Sequence, residues 1–169
     1  IIEALGDPLT HLIRNSADHG IEAPEVRRAA GKPPRGQIAL TAHHEGGQVC
    51  VEITDDGAGI DPERVRQQAS ERNLLSAKDA GELSDHEALR SIFAPGFSTA
   101  EQVSDLSGRG VGMDVVRSNI EKIGGAVEIE STPGLGNQIT LKLPLTLAIM
   151  PALVIRNEGR DFAVPQREI

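Results

Sequence analysis

The sequence predicts an α+β domain, a two-layer sandwich in which helices cover one face of a mixed, mostly antiparallel sheet. Three observations point there. Residues 38–53 hold two alternating apolar runs joined across Gly46-Gly47, the pattern of a hairpin. A second hairpin spans 126–131 and 138–144 across Thr132-Pro133-Gly134-Leu135-Gly136. Helices with start signals precede the first hairpin and fill the interval between the two, so the strands come in pairs and not singly between helices.

The elements follow in order. Asp7-Pro8 places a capping carboxylate before a proline at the first helical position. It predicts a helix from there to about His19, stopped by Gly20, with Leu9, Leu12, Ile13 and Ser16 toward the core. Residues 24–36, rich in Pro, Gly and Arg, read as a short helix and a loop. Ile38, Leu40 and Ala42 then alternate against Val49, Val51 and Ile53. Asp61-Pro62 opens a helix to about Asn73, and Ser84-Asp85-His86-Glu87 has the spacing of a capping box for a helix ending near Phe93. Residues 94–108 lack periodicity and read as a mobile loop. A helix from Val111 turns Val115, Val116, Ile120 and Ile123 inward and ends at Gly124-Gly125. After the second hairpin, Leu145–Ile155 reads as an apolar strand that Glu158-Gly159 turns toward Phe162-Ala163-Val164. Pro144 is the expected boundary between a domain over 1–144 and the start of another over 145–169.

Composition narrows the function. The 169 residues carry 17 Lys and Arg against 25 Asp and Glu, a net charge of −8. This surface lacks the basic footprint of a nucleic-acid or anionic-membrane binder, and any phosphate site must be built locally. Cys50 is the single cysteine, which excludes an intrachain disulfide and a zinc finger. No apolar run reaches the roughly 20 residues of a membrane span, and nothing resembles a signal peptide. The expected location is cytoplasmic. The chain starts at Ile1 and stops inside a hairpin, so it reads as a piece of a longer protein.

Three segments carry chemistry. Asp56-Gly57-Ala58-Gly59 ends a strand; a carboxylate there accepts the amino group of adenine and repels the oxygen of guanine, while Gly57 and Gly59 let a planar ring approach. Alone, this pattern is as well explained by a plain turn. Gly108-Arg109-Gly110-Val111-Gly112-Met113-Asp114 opens a helix, so successive amides and the helix dipole face an anion, with Arg109 adding charge. It is neither a P-loop nor a dinucleotide fingerprint. His11, Asn15 and His19 recur at i, i+4 and i+8 on one helix face. The Asn15 oxygen suits a magnesium ion bridging phosphates, and both histidines suit phosphate oxygens. Singly, each is an ordinary surface residue; together the segments form a site for a nucleotide and its metal.

These residues also carry a resemblance. HLIRNSADHGIE, DDGAGI, FAPGFST and GRGVGMDVV resemble the N-box, first glycine box, lid-adjacent box and second glycine box of the ATP-binding domain of the CheA family of chemotaxis histidine kinases. GKPPRGQI and LPLTLAI add to the likeness, which covers essentially the whole chain. It implies the Bergerat ATP-binding fold shared with gyrase-type, heat-shock-ninety-type and mismatch-repair ATPases, with ATP and Mg2+ as ligands. By that resemblance Asn15 is the magnesium ligand and His11, the catalytic candidate, lies near the terminal phosphate. Asp18 and His19 line the pocket, Asp56 holds the adenine amino group, and Gly59 lies beside the base. Ser98 and Thr99 lie where a lid, about 94–107, meets the phosphates. Gly108, Arg109, Gly110, Val111 and Gly112 form the phosphate cradle, and Met113 packs near sugar or base. One departure is visible: Asn137-Gln138 follows Gly136 where the family has threonine.

The resemblance further implies that 145–169 begins an SH3-like regulatory domain and that Ile1–Leu5 is a remnant of a dimerisation helix. Its partners would be a histidine phosphotransfer domain of the other subunit and, for the full-length homodimer at membrane-associated receptor arrays, coupling protein, chemoreceptors and response regulators. Gyrase-like relatives carry a water-activating glutamate four residues before the asparagine. Here that position is His11, so transfer of the γ-phosphoryl group to a histidine fits better than hydrolysis. A non-catalytic nucleotide-binding module and a gyrase- or chaperone-type ATPase are the alternatives.

Overall fold

The computed structural model describes residues 2–97, 112–145, 152–157 and 160–165. The chain opens with α1 (Ile2–Asn15), which passes into a π-helical turn, Ser16–Gly20. Next come α2 (Pro24–Ala29), the hairpin β1 (Ile38–Glu45) and β2 (Gln48–Asp55), then α3 (Pro62–Glu71), α4 (Ala77–Glu82) and α5 (Asp85–Ser91). Helix α6 (Met113–Lys122) leads into β3 (Ala126–Thr132) and β4 (Gly136–Pro144). A separate two-stranded sheet pairs β5 (Ala152–Asn157) with β6 (Arg160–Pro165).

The main sheet has the order β1-β2-β4-β3, and each described pairing in it is antiparallel. The α+β sandwich expected from the sequence is present, with β4 crossing over to pair with β2. Alternation explains which face is covered. Val51 and Ile53 on β2, and Ile139, Leu141 and Leu143 on β4, point to one side. They meet Leu12 of α1, Leu89 of α5, and Val116 and Ile120 of α6 in a single core. Leu12, Ile120 and Leu141 have no exposed surface; full burial of such a side chain contributes about 1.5–3 kcal/mol. A smaller cluster, Val65, Ala69, Ala88 and Phe97, packs α3 against α5.

Several local expectations change. Helix α1 begins at Ile2, five residues before the Asp7-Pro8 signal, so Pro8 lies inside it. Proline deletes one backbone donor there. The side chain of Thr10 donates to the carbonyl of Gly6 at 2.8 Å within the same stretch. Ile13, expected in the core, is 36% exposed, and Leu40 on the edge strand β1 is 51% exposed. The helices cover β2 and β4 and leave most of β1 open. Helix α4 was not expected from the sequence. Ser76 caps it by accepting from the Asp79 amide at 3.1 Å, a signal hidden by the polar run that follows. The capping box at Ser84 and Glu87 is present in both directions. Strand β5 starts at Ala152 rather than Leu145, and 146–151 lie outside the described residues.

Candidate functional site

Strand β2 delivers its last residue, Asp55, to the end of the sheet near the close of α1. Because Val49, Val51 and Ile53 face the helices, alternation carries Asp55 to the same side and Asp56 to the other. The π-helical turn then matters. Its wider i→i+5 bonding, seen as Ile21 N donating to Ser16 O at 2.8 Å, directs Ser16 into the sheet end. Ser16 Oγ donates to Asp55 Oδ2 at 2.9 Å, and the Gly57 amide donates to Oδ1 at 3.0 Å. Asn137 Nδ2, from the facing strand β4, reaches Oδ1 at 3.2 Å and Oδ2 at 3.1 Å. Asn137 is itself oriented by Ser131, whose hydroxyl donates to Asn137 Oδ1 at 2.7 Å and accepts from the Ile60 amide at 2.7 Å. Asp55 is thus an acid only 8% exposed, held by neutral donors, with no cation against it among the described residues.

Asp56, the residue chosen from the sequence for the base, is committed elsewhere. Arg27 Nη2 donates to its Oδ2 at 2.7 Å and the Gln37 amide to its Oδ1 at 2.8 Å. Burial alone would raise this carboxyl, but the Gln37 amide and the Arg27 and Lys32 charges outweigh it and hold it below the usual carboxylate range. Arg27 has no exposed surface and also bonds Glu22 and the Pro33 carbonyl. Lys32 donates to Glu22 and to the carbonyls of Asp56 and Gly57. Glu22, Arg27 and Lys32, the last two in the stretch 24–36 read as helix and loop, therefore clamp the Asp56-Gly57 turn from outside.

Asn15 ends α1 one residue before Ser16, and its Nδ2 donates to Met113 Sδ at 3.2 Å, so two sequence-chosen residues 98 positions apart meet. Met113 is the first residue of α6, and Gly112 precedes it as N-cap with no side-chain cap. The Asn15 oxygen accepts no hydrogen bond among the described residues. His11, one turn back, is half-buried; desolvation and then the nearby Arg14 charge lower its pKa, which favours the neutral imidazole. Asp18 and His19 are exposed on the π turn, which takes His19 off the regular helix that the spacing of His11, Asn15 and His19 assumes.

Gly59, expected beside the base, has φ of +69°, and a Cβ there would run into the carbonyl of Thr132. It lets the turn after β2 sit on the β3–β4 turn, where the Gly134 amide donates to the Ala58 carbonyl at 2.7 Å. Ser98, Thr99, Gly108, Arg109, Gly110 and Val111 lie outside the described residues, as does the expected lid from 98 to 107.

The structure thus brings Asn15 and Met113 together and places Asp55 one residue further along the same turn, through Ser16. Asp55, Ser16 and Asn137 were missed in these roles. Strand alternation carried the signal for Asp55.

The α+β sandwich thus places an acid at one strand end and, beside an asparagine, a helix N-terminus with no side-chain cap among the described residues. Residues 4–147 match the family model described as histidine kinase-, DNA gyrase B- and HSP90-like ATPase. The chain belongs to that family and is an ATP-binding domain. It is 50% identical over 165 residues to "Chemotaxis protein CheA" of Bacillus subtilis (strain 168), covering 98% of this chain and 25% of that protein. It is 51% identical to "Sensor histidine kinase CheAY" of Helicobacter pylori (strain ATCC 700392 / 26695), covering 98% and 20%. To "Gliding motility regulatory protein" of Myxococcus xanthus it is 48% identical, covering 96% and 21%. The chain spans a quarter or less of the length of these relatives. Among the described residues, no helix is long and apolar enough to cross a membrane.

Proposed function

We propose that this chain is the ATP-binding catalytic domain of a chemotaxis-type histidine kinase, and that it transfers the γ-phosphoryl group of Mg-ATP to a histidine on a separate phosphotransfer domain. The observation that carries this reading is the meeting of α1, β2 and α6: Ser16 on Asp55, and Asn15 on Met113, at a helix N-terminus with no side-chain cap among the described residues. Roughly half identity to chemotaxis kinases over nearly the whole chain supports it.

In this reading Asp55, not Asp56, accepts the amino group of adenine. Its carboxylate has about four acceptor positions, and the donors already present use them with Asn137 shared between both oxygens. The base amino group takes over one of those shared contacts. Gly112 and the first turn of α6 face the phosphates, joined by the 108–111 segment and Arg109. The Asn15 oxygen, which accepts no hydrogen bond among the described residues, would hold the magnesium ion, and the ion would neutralise charge on the phosphates. His11 in its neutral form lies near the terminal phosphate and offers it one N–H. Asp18 and His19 on the π turn, Ser98 and Thr99 from the lid, and Gly59 behind the base edge complete the pocket.

An imidazole nitrogen of the acceptor attacks the γ-phosphorus as the bond to the ADP oxygen breaks. ADP leaves, and the imidazole proton passes to solvent. In the full-length homodimer the phosphotransfer domain comes from the other subunit, and 145–169 begins the regulatory domain that meets coupling protein and receptors; response regulators then take the phosphoryl group.

The test is to mix the chain, labelled ATP, Mg2+ and a purified phosphotransfer domain. Label on the acceptor histidine is expected. Phosphate release without acceptor labelling would make the domain an ATPase of the gyrase type, and nucleotide binding with neither product would make it a regulatory module.

A further inference from the structure

The β1–β2 hairpin carries a second cluster of chemistry-bearing side chains at the end of the sheet remote from Asp55. The register sets His43 directly opposite Cys50, and Glu45 lies two residues beyond His43 on the same strand face. His43 Nε2 is 3.8 Å from Glu45 Oε2, and Cys50 Sγ is 3.9 Å from the same oxygen. The three ligand atoms all lie within 4.8 Å of one another. Ligands at zinc bond lengths of about 2.0–2.3 Å in a tetrahedron stand roughly 3.3–3.8 Å apart. Small side-chain rotations close the difference, and His43 and Glu45, with side chains 45% and 73% exposed, are free to make them.

We propose that His43, Glu45 and Cys50 form a surface site for a zinc-class divalent cation, with water as the fourth ligand. The donor set decides the metal. A thiolate, an imidazole and a carboxylate favour Zn2+ and Co2+ over Mg2+, which takes oxygen ligands and retains water. Lys142, the cross-strand neighbour of Cys50 on β4, has its ammonium group held by Glu128 at 2.7 Å. The site is separate from the nucleotide site. Cys50 lies five residues from Asp55 along β2, about 17 Å at strand rise, and odd spacing puts it on the opposite sheet face. The buried thiol is the inner ligand, and the two exposed groups close over it. A bound ion ties the exposed edge strand to its neighbour and stabilises the hairpin by mass action.

Cobalt is the probe. Adding Co2+ to the chain is expected to give a thiolate-to-cobalt charge-transfer band saturating at one equivalent and displaced by Zn2+. The band disappears in Cys50→Ser, and His43→Ala and Glu45→Gln each weaken binding by at least about tenfold. It persists in Asp55→Asn, which separates it from nucleotide binding. No band with cobalt in excess overturns the proposal. So does a band that both His43→Ala and Glu45→Gln leave unchanged, since that marks a lone thiol adduct; these two exposed positions keep the test valid if Cys50→Ser fails to fold.

Discussion

Asn137 and Asp55 face each other in the β2–β4 register, and one amide nitrogen sits 3.2 and 3.1 Å from the two carboxylate oxygens. The family pattern has a threonine hydroxyl at this position. Here a longer side chain supplies the donor, and Ser131 turns the amide so that its nitrogen faces the acid. Asn137→Ala should destabilise the fold by about 1 kcal/mol, because a buried carboxylate loses a donor. Asn137→Thr should restore most of that loss. Denaturant melts of both variants check this.

Asp55 and Asp56 make opposite predictions. In the proposed reading Asp55→Asn turns one acceptor oxygen into a donor, and it should weaken ATP binding by about 2 kcal/mol, roughly thirtyfold in Kd. Asp56→Asn should leave Kd within about threefold while lowering Tm, since it removes the ion pair that Arg27 makes with the turn. Calorimetry with ATP on both variants decides, and the reverse ordering would return the base to Asp56.

Gly57 lies so close to the π turn that an added Cβ would meet the carbonyl of Gly20. That carbonyl accepts from the Ala58 amide at 2.8 Å and cannot withdraw cheaply. Gly57→Ala should cost about 1–3 kcal/mol of stability and displace the strand end, weakening ATP binding as well. A folded variant of wild-type stability and affinity would show that the contact relaxes.

His11 gives a pH dependence of known sign. Its folded pKa lies below the ordinary 6.5, chiefly through desolvation. Between the two values the unfolded chain binds more protons, so stability rises with pH and falls as pH drops from 6.5 through the folded pKa. His11→Gln should flatten that part of the wild-type curve. Chemical denaturation at closely spaced pH values below 6.5 measures the difference.

Hairpins, caps and the inward face of α6 could be read from the sequence because each rests on local periodicity or a short polar signal, as Ser84 and Glu87 show. The family boxes placed Asn15 and Met113 in one site although 98 positions separate them. What stayed hidden depends on backbone phase. Nothing local announces that the helix loosens after Asn15, so Ser16 was read as an ordinary core position and His19 as a continuation of the stripe. That Asp55 faces the helices while Asp56 turns to Arg27 follows from counting along Val51 and Ile53, whereas the glycines after Asp56 point to Asp56. Arg27 could not be anticipated, since its burial requires partners from three separate stretches.

That arginine makes the proline-rich stretch before β1 something other than spacer. A chimera joined anywhere between Glu22 and Gln37 would import half of a bracket, leaving a cation sealed inside without its counterpart or an acid stripped of its mate. Recombination among related kinases should therefore tolerate crossovers in the exposed hairpin tip at Gly46-Gly47 and reject them here, unless Glu22, Arg27, Lys32 and Asp56 travel as one block.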